Sequence, residues 1–167
     1  SWGSVALAVM TRQLSIESGG MDDSTNGYAV SLSGKYNISA TDDLRFTISS
    51  GEGLGRYIGL NTSNDAVLDA QGKLDAIQVT GYALAYKHAW PDKWRSSLIY
   101  SAQHIDNDAQ LTGLTVTDKT SSYAANLIYQ AASKLMFGVE VRHATREILS
   151  GAECDLNRVQ FSAKYDF

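Results

Sequence analysis

Apolar and polar residues alternate with a period of two over most of the chain. Tyr28, Val30 and Leu32 share one parity, and the residues between them are small or polar. Similar alternation recurs in residues 43–52, 135–148 and 156–167. Successive side chains of a β-strand point to opposite sides of the sheet, so this period indicates strands.

The pattern predicts an all-β fold in which eight strands are joined in sequence. Most of the predicted strands are 10 to 16 residues long. Strands of globular proteins are commonly about 5–6 residues, whereas membrane-spanning strands need about 9–11. Their length therefore favours strands that cross a membrane. The predicted strands are residues 3–16, 26–38, 43–52, 76–88, 94–105, 116–131, 135–148 and 156–167.

The predicted connections alternate in length. Residues 39–42, 89–93 and 132–134 are short, whereas the other connections are longer and rich in Gly, Asp, Asn and Ser. Outer-membrane barrels of the up-and-down type have short periplasmic turns and longer external loops. The alternation therefore predicts an up-and-down antiparallel barrel whose short turns are periplasmic. The longer connections are residues 17–25, 53–75, 106–115 and 149–155.

Two segments break the period. Leu14 and Ile16 fall on the polar parity of the first strand, and Ile77 and Val79 are out of phase with Tyr82 and the residues that follow it. A β-bulge shifts the parity of a strand by one residue. We therefore predict a bulge near residues 80–81.

Aromatic residues gather at the predicted periplasmic ends of the strands. Amphipathic rings settle at membrane–water interfaces and form girdles around barrels, whereas a soluble core would place its aromatic residues near mid-strand. We expect these aromatic residues to form the periplasmic girdle. The girdle residues are Trp2, Tyr36, Trp90, Trp94, Tyr129, Tyr165 and Phe167.

The polar parity of the strands is basic, although the chain carries a net charge of -4. Only Glu140 and Asp166 are identified as acids of the same parity. Burying so many cations in a small soluble core would be costly, whereas a water-filled lumen accommodates them and favours anions. The alternative is that they pair with acids on strands outside this chain. The predicted pore-lining cations are Arg12, Lys35, Arg45, Arg95, Arg142, Arg146, Arg158 and Lys164.

Composition and motifs exclude several other classes. No run approaches the ~18 apolar residues of a membrane helix, and the single Cys154 cannot form an internal disulfide. Three histidines, His88, His104 and His143, show no metal-ligand spacing. No nucleophile is spaced with a base, so we expect no enzyme activity, no catalytic residues, no cofactor, no metal and no nucleic-acid partner.

Three segments resemble the DcaP-like family of proteobacterial outer-membrane porins. They are residues 2–8 with Arg12-Gln13-Leu14, the Gly53-Leu54-Gly55-Arg56-Tyr57 loop with residues 64–67, and the closing residues 163–167. The resemblance covers the whole chain, residues 1–167, as one segment corresponding to the C-terminal half of such a porin.

The resemblance implies a homotrimer of sixteen-stranded barrels in the outer membrane of Gram-negative bacteria, surrounded by membrane lipids and lipopolysaccharide. It implies an arginine-rich channel for small anionic solutes such as dicarboxylates. The Gly-rich loop would fold inward as a constriction, with Arg56 facing the pore. Two alternatives remain open: a small closed eight-stranded barrel with a structural or adhesion role, and a soluble ligand-binding barrel with its apolar parity inward.

Overall fold

The chain forms one large antiparallel sheet of eight strands, joined in their order along the sequence. The structure is a computed structural model that describes residues 2–59 and 62–167. The eight strands of the sheet are β1 (Gly3–Ser18), β2 (Met21–Asn37), β3 (Asp42–Glu52), β6 (Gln78–Ala89), β7 (Trp94–Asp106), β8 (Thr117–Ala132), β9 (Leu135–Ile148) and β10 (Glu153–Tyr165).

All eight predicted strands are present, and each pairs with its neighbour along the chain. They contain 11 to 17 residues, which is long for a globular sheet. In the described part of the chain, β1 and β10 lie at opposite edges and do not pair with each other. The sheet is therefore open.

The register places the two parities on opposite sides of the sheet. Leu7 pairs with Leu32, and Leu32 pairs with Ile48; we call this side the apolar face. Arg142 pairs with Arg158 on the other side, which we call the polar face. The apolar face is widely exposed, with Leu7 69% and Phe161 81% accessible. In this open sheet, the residues of the apolar face are therefore not buried by other described residues.

The strict alternation of long and short connections was wrong at two places. The predicted loop at 17–25 is a two-residue turn, Gly19–Gly20, because β1 and β2 stay paired as far as Ser18 and Met21. The predicted loop at 149–155 shortens to residues 149–152 between β9 and β10. Two long connections remain at the same end of the sheet, residues 53–77 and 107–116.

The bulge predicted near residues 80–81 was also wrong. Strand β6 runs without a register shift against both β3 and β7. Val79 lies on the polar face, yet it is fully buried because it packs with Ile77 and Ile105 under part of the 53–77 connection. The register irregularities of the sheet lie between β8 and β9, near Thr117 and near Gln130.

The long connections contain short elements of their own. Residues 53–77 hold helix α1 (Gly55–Gly59) and a hairpin of β4 (Ala66–Leu68) and β5 (Leu74–Ala76), whereas residues 107–116 hold helix α2 (Ala109–Thr112). Within the described residues, neither helix has the length and apolar character needed to cross a membrane.

The Gly19–Gly20 turn gives a test of the β1–β2 hairpin. Both glycines have positive φ, 63° and 85°, and a Cβ on Gly20 would meet no atom within 4 Å. Gly20→Val should therefore lower stability through backbone strain alone, by about 1–2 kcal/mol. The free energy of unfolding of the complete protein, measured in detergent by urea titration, checks this.

Gly20→Asn is the matched control, since Asn tolerates this conformation, and it should lose much less. Equal stability of the Val and Asn variants would contradict the strained-turn assignment.

Candidate functional site

Residues 53–77 lie against the polar face, and we call this connection the inserted loop. Its Ile58 and Val67 pack on a buried cluster of Ile77, Val79 and Ile105. Val79 and Ile105 belong to β6 and β7, so the loop covers these strands near one end of the sheet. Two of the residues that broke the predicted period, Ile77 and Val79, are apolar because this loop covers them.

Small residues let helix α1 approach the sheet closely. A Cβ added to Gly81 of β6 would lie 2.5 Å from Ile58 Cγ2, and one added to Gly59 would lie 2.3 Å from Gln103 Oε1. Real side chains do not approach this closely, so a larger residue at either position would require Ile58 or Gln103 to shift.

Asp65 ties the inserted loop to the first strand. Its Oδ2 lies 2.5 Å from Arg12 Nη2, and its Oδ1 accepts a hydrogen bond of 2.9 Å from the backbone N–H of Arg56. The guanidinium of Arg12 also lies 5.4 Å from the centre of the Tyr57 ring. Charged hydrogen bonds and a cation–π contact thus converge on Arg12, which joins the loop to β1.

A second acid ties the loop to β2. Asp23 accepts a hydrogen bond of 2.7 Å from the backbone N–H of Leu74 and lies 3.0 Å from Lys73 Nζ. Asp23 stands in the extension of β2 beyond the apolar residues Tyr28–Tyr36. The Leu74 N–H and then the Lys73 ammonium hold the pKa of its carboxyl below the ordinary value.

Three cations surround one acid at the opposite end of the polar face. Asp43 lies 2.7 Å from Arg45, 3.8 Å from Lys35 and 3.7 Å from Lys87. Its carboxylate is nearly buried, whereas the cations are partly exposed. This group therefore carries two more positive charges than negative ones.

Two arginines face each other directly near the middle of the last two strands. Arg142 and Arg158 are cross-strand partners, and both contact the same oxygen of Glu140, at 3.3 and 3.1 Å. Like charges directly opposite each other destabilise a sheet unless an anion lies between them. Glu140 supplies one negative charge to two arginines, so this group is also net positive.

The remaining predicted cations have fewer acidic partners. Lys164 pairs with Asp166 at 2.8 Å. Arg146 donates through Nε to Thr117 Oγ1 at 2.8 Å, and Arg95 contacts the Met136 sulfur at 3.6 Å. Among the described residues, Arg56, Arg95 and Arg146 have no acidic side chain within 4.0 Å.

Sequence reasoning missed several partners of the basic face. Asp43 and Lys87 share the parity of Arg45 and Ala85 on their strands, so the alternation could have assigned both to the polar face. Asp23 was assigned to a loop, but it belongs to β2. The contact of Asp65 with Arg12 could not be predicted from the alternation, because a contact from a loop to a distant strand follows no sequence period.

The aromatic residues expected in a girdle lie together at the end of the sheet that carries the short turns. Trp94 and Tyr129 stack with ring centres 4.6 Å apart, and Tyr165 meets Phe167 edge-on at 5.4 Å. Trp2, Tyr36 and Trp90 are each more than half exposed. This end therefore presents a row of aromatic rings on its surface.

Comparisons with known proteins match nearly the whole chain. The family described as DcaP outer membrane protein matches residues 7–167. The crystal structure of the outer membrane channel DcaP of Acinetobacter baumannii has a TM-score of 0.85 at 22% identity, covering 99% of this chain and 47% of that chain. This chain therefore spans about half the length of that channel, and the likeness shows a shared fold. A search of curated proteins gave no match.

The tie at Asp65 predicts how the inserted loop responds to mutation. Asp65→Asn removes the charge that holds Arg12, so the loop should leave the polar face more often while the sheet stays folded. Trypsin should then cleave after Arg56 or Lys73 several times faster in the complete protein, as measured by mass spectrometry of the fragments.

Asp75→Asn is the control, because Asp75 is an exposed acid of the same loop with no ion pair among the described residues. Cleavage rates that rise equally in both variants, or in neither, would refute the role given to Asp65.

Proposed function

The chain belongs to the DcaP outer membrane protein family and thus to the bacterial outer membrane, and from this premise we propose that it forms half the wall of a porin for small anions. The observation that carries the proposal is the excess of positive charge on the polar face. In this arrangement the polar face lines a water-filled lumen, and the apolar face meets lipid.

The apolar face has the dimensions of a membrane band. Tyr28 and Tyr36 bound the apolar part of β2, and eight residue steps at ~3.3 Å give about 26 Å along the strand. Strand tilt brings this to about 20 Å, close to the ~25 Å band of outer-membrane barrels. The parts of β1 and β2 nearer the Gly19–Gly20 turn would then project beyond the membrane.

Rings at both limits of this band support the same placement. The predicted girdle of Trp2, Tyr36, Trp90, Trp94, Tyr129, Tyr165 and Phe167 would lie at the periplasmic interface, and Tyr28, Tyr82, Tyr100 and Tyr123 would form the outer one. Tyr100 contacts both Tyr82 and Tyr123, at 6.0 and 4.7 Å between ring centres. Outer-membrane lipids and lipopolysaccharide would surround these two belts.

The open sheet favours a barrel larger than eight strands. Unpaired strand edges are not stable in lipid, so β1 and β10 need partners. Closing β1 onto β10 would give an interior just wide enough for side chains. The inserted loop already occupies the polar face, and such an interior has no room for it. This argues against the small closed barrel and for about sixteen strands in the complete protein, which we propose assembles as a trimer.

The basic groups would favour anions throughout the lumen. Asp43 and Glu140 each neutralise only one of the cations around them, and Arg56, Arg95 and Arg146 add charge without an acidic partner among the described residues. Low-dielectric walls focus such a field into the pore, which raises the local concentration of anions. Dicarboxylates are the solute class that we propose. The proposed role is diffusion and requires no catalytic residue.

Removing the facing arginines should weaken anion preference. In the complete protein, the double variant Arg142→Gln/Arg158→Gln leaves Glu140 without a cation. A unit charge ~10 Å away shifts an ion's energy by about 0.4 kcal/mol in water, with opposite signs for an anion and a cation, so losing two charges changes the difference between them by about 1.6 kcal/mol. The ratio of chloride to potassium permeability, measured from reversal potentials in planar bilayers, should fall by about tenfold.

Lys93→Gln removes a cation from the short turn after β6 and should leave the ratio unchanged, as should the charge-preserving Arg142→Lys/Arg158→Lys pair. Cation preference in the unmodified protein would overturn the proposed function.

A further inference from the structure

A cavity of about 780 Å³ lies between the inserted loop and the polar face. Tyr57, Ile58 and Thr62 of the loop line one side, and the strands from β3 to β10 line the other. Much of the strand lining consists of hydroxyl side chains, among them Ser101 and Ser122. The hydroxyl groups along this wall can form hydrogen bonds with a polar solute.

Three polar side chains of this cavity lie in one register row. Gln103 of β7 pairs with Thr120 of β8, and Thr120 pairs with Arg146 of β9. Neighbouring strands are about 4.8 Å apart, so the Cα atoms of Gln103 and Arg146 are separated by about 10 Å. All three residues line the cavity. The row therefore presents an amide, a hydroxyl and a guanidinium to the same space.

One end of the Gln103 amide has a partner and the other has none. Its Oε1 lies 3.0 Å from Thr62 Oγ1, whereas its buried Nε2 has no hydrogen-bond partner among the described residues. Gln103 is only 6% exposed. Buried polar groups are almost always hydrogen-bonded, so a rotation of the Gln103 amide that brings Nε2 to a polar group in the adjoining cavity would be favourable.

A hydroxyl group is the partner that fits this end best. It can donate as well as accept, so it satisfies whichever amide atom faces it. A carboxylate in the same place would be buried beside a neutral amide rather than a cation, which is unfavourable.

The guanidinium of Arg146 can bind the opposite end of such a solute. Its Nε is held by Thr117, whereas its two terminal nitrogens have no acidic partner among the described residues. A guanidinium presented in this way binds a carboxylate with two parallel hydrogen bonds. Between the two ends, Thr120 has no side-chain hydrogen bond among the described residues, so its hydroxyl is available to the same solute.

From this row we propose a subsite for hydroxylated monocarboxylates of the sugar-acid type, with the carboxylate on Arg146 and hydroxyl groups on Thr120 and Gln103. The subsite adds a second class of anion to the dicarboxylates of the proposed function, and it rests on that function because the polar face must line the pore for a solute to reach the cavity. It gives the pore a selectivity for hydroxyl groups that charge alone does not supply.

Gluconate and hexanoate test this selectivity, since they have the same number of carbons and the same charge but differ in hydroxyl groups. The complete protein in a planar bilayer carries chloride current, and each acid is added at increasing concentration. Gluconate should block this current at a concentration at least tenfold lower than hexanoate.

Two variants and a control assign the effect to the row. Gln103→Leu and Thr120→Val should each reduce the preference for gluconate severalfold while the chloride-to-potassium permeability ratio stays unchanged. Thr120→Val keeps the side-chain shape and does not touch Thr62, so it remains informative if Gln103→Leu loosens the loop. Ser15→Ala removes an exposed hydroxyl of β1 that does not line the cavity and should change nothing.

Arg146→Gln should weaken block by both acids, because it removes the carboxylate partner. Equal block by gluconate and hexanoate in an anion-selective pore would overturn the subsite alone. A preference for gluconate that survives in both Gln103→Leu and Thr120→Val would also overturn it. A pore without anion preference would instead overturn the proposed function.

Discussion

The hydrogen bonds between neighbouring strands are the constraint on which the rest of the structure depends. A membrane offers no water to a free N–H or C=O, so every strand that crosses it must be paired along both edges. Six of the eight strands are paired along both edges, whereas β1 and β10 each lack a partner at their outer edge within the described residues. The fixed register then assigns each residue to a side, and so it separates an apolar face from a polar face. The proposed channel follows from that separation, since a polar face that has no water to contact would be too costly to keep.

The ion pairs of the polar face have two effects: some attach the inserted loop to the sheet, and others leave a net positive charge. Asp65 and Asp23 attach the inserted loop to β1 and β2, each through a cation and a backbone N–H. Asp43 and Glu140 instead stand among several cations and prevent like charges from destabilising the sheet. Each of these two acids leaves an excess of positive charge behind. The same ion pairs that stabilise the polar face therefore leave it with a net positive charge, and the inserted loop lies on that same face.

The sequence predicted the strands better than the contacts between distant elements. Alternation located all eight strands to within a few residues because successive side chains lie on opposite faces of the sheet, one apolar and one polar, as Val30 and Ser31 illustrate. Alternation failed at Val79, which is apolar although it lies on the polar face, because the inserted loop buries it. The length of the Gly19–Gly20 connection was also misjudged, because polar residues continue the β1–β2 pairing beyond the apolar band. The tie between Arg12 and Asp65 joins residues far apart in the chain and could be found only in the folded structure.

The position of the inserted loop along the chain has a consequence for folding order. The loop attaches to β1 and β2, which precede it, and packs on Val79 and Ile105 of β6 and β7, which follow it. Its anchors at Arg12 and Asp23 are in place once the first hairpin exists, but its apolar support is complete only after β7 has joined the sheet. Contacts of such long sequence separation form late because the intervening chain must be ordered first. Docking of the loop is therefore a late event in assembly, and the pore would acquire its narrow geometry only after five consecutive strands of the wall have paired.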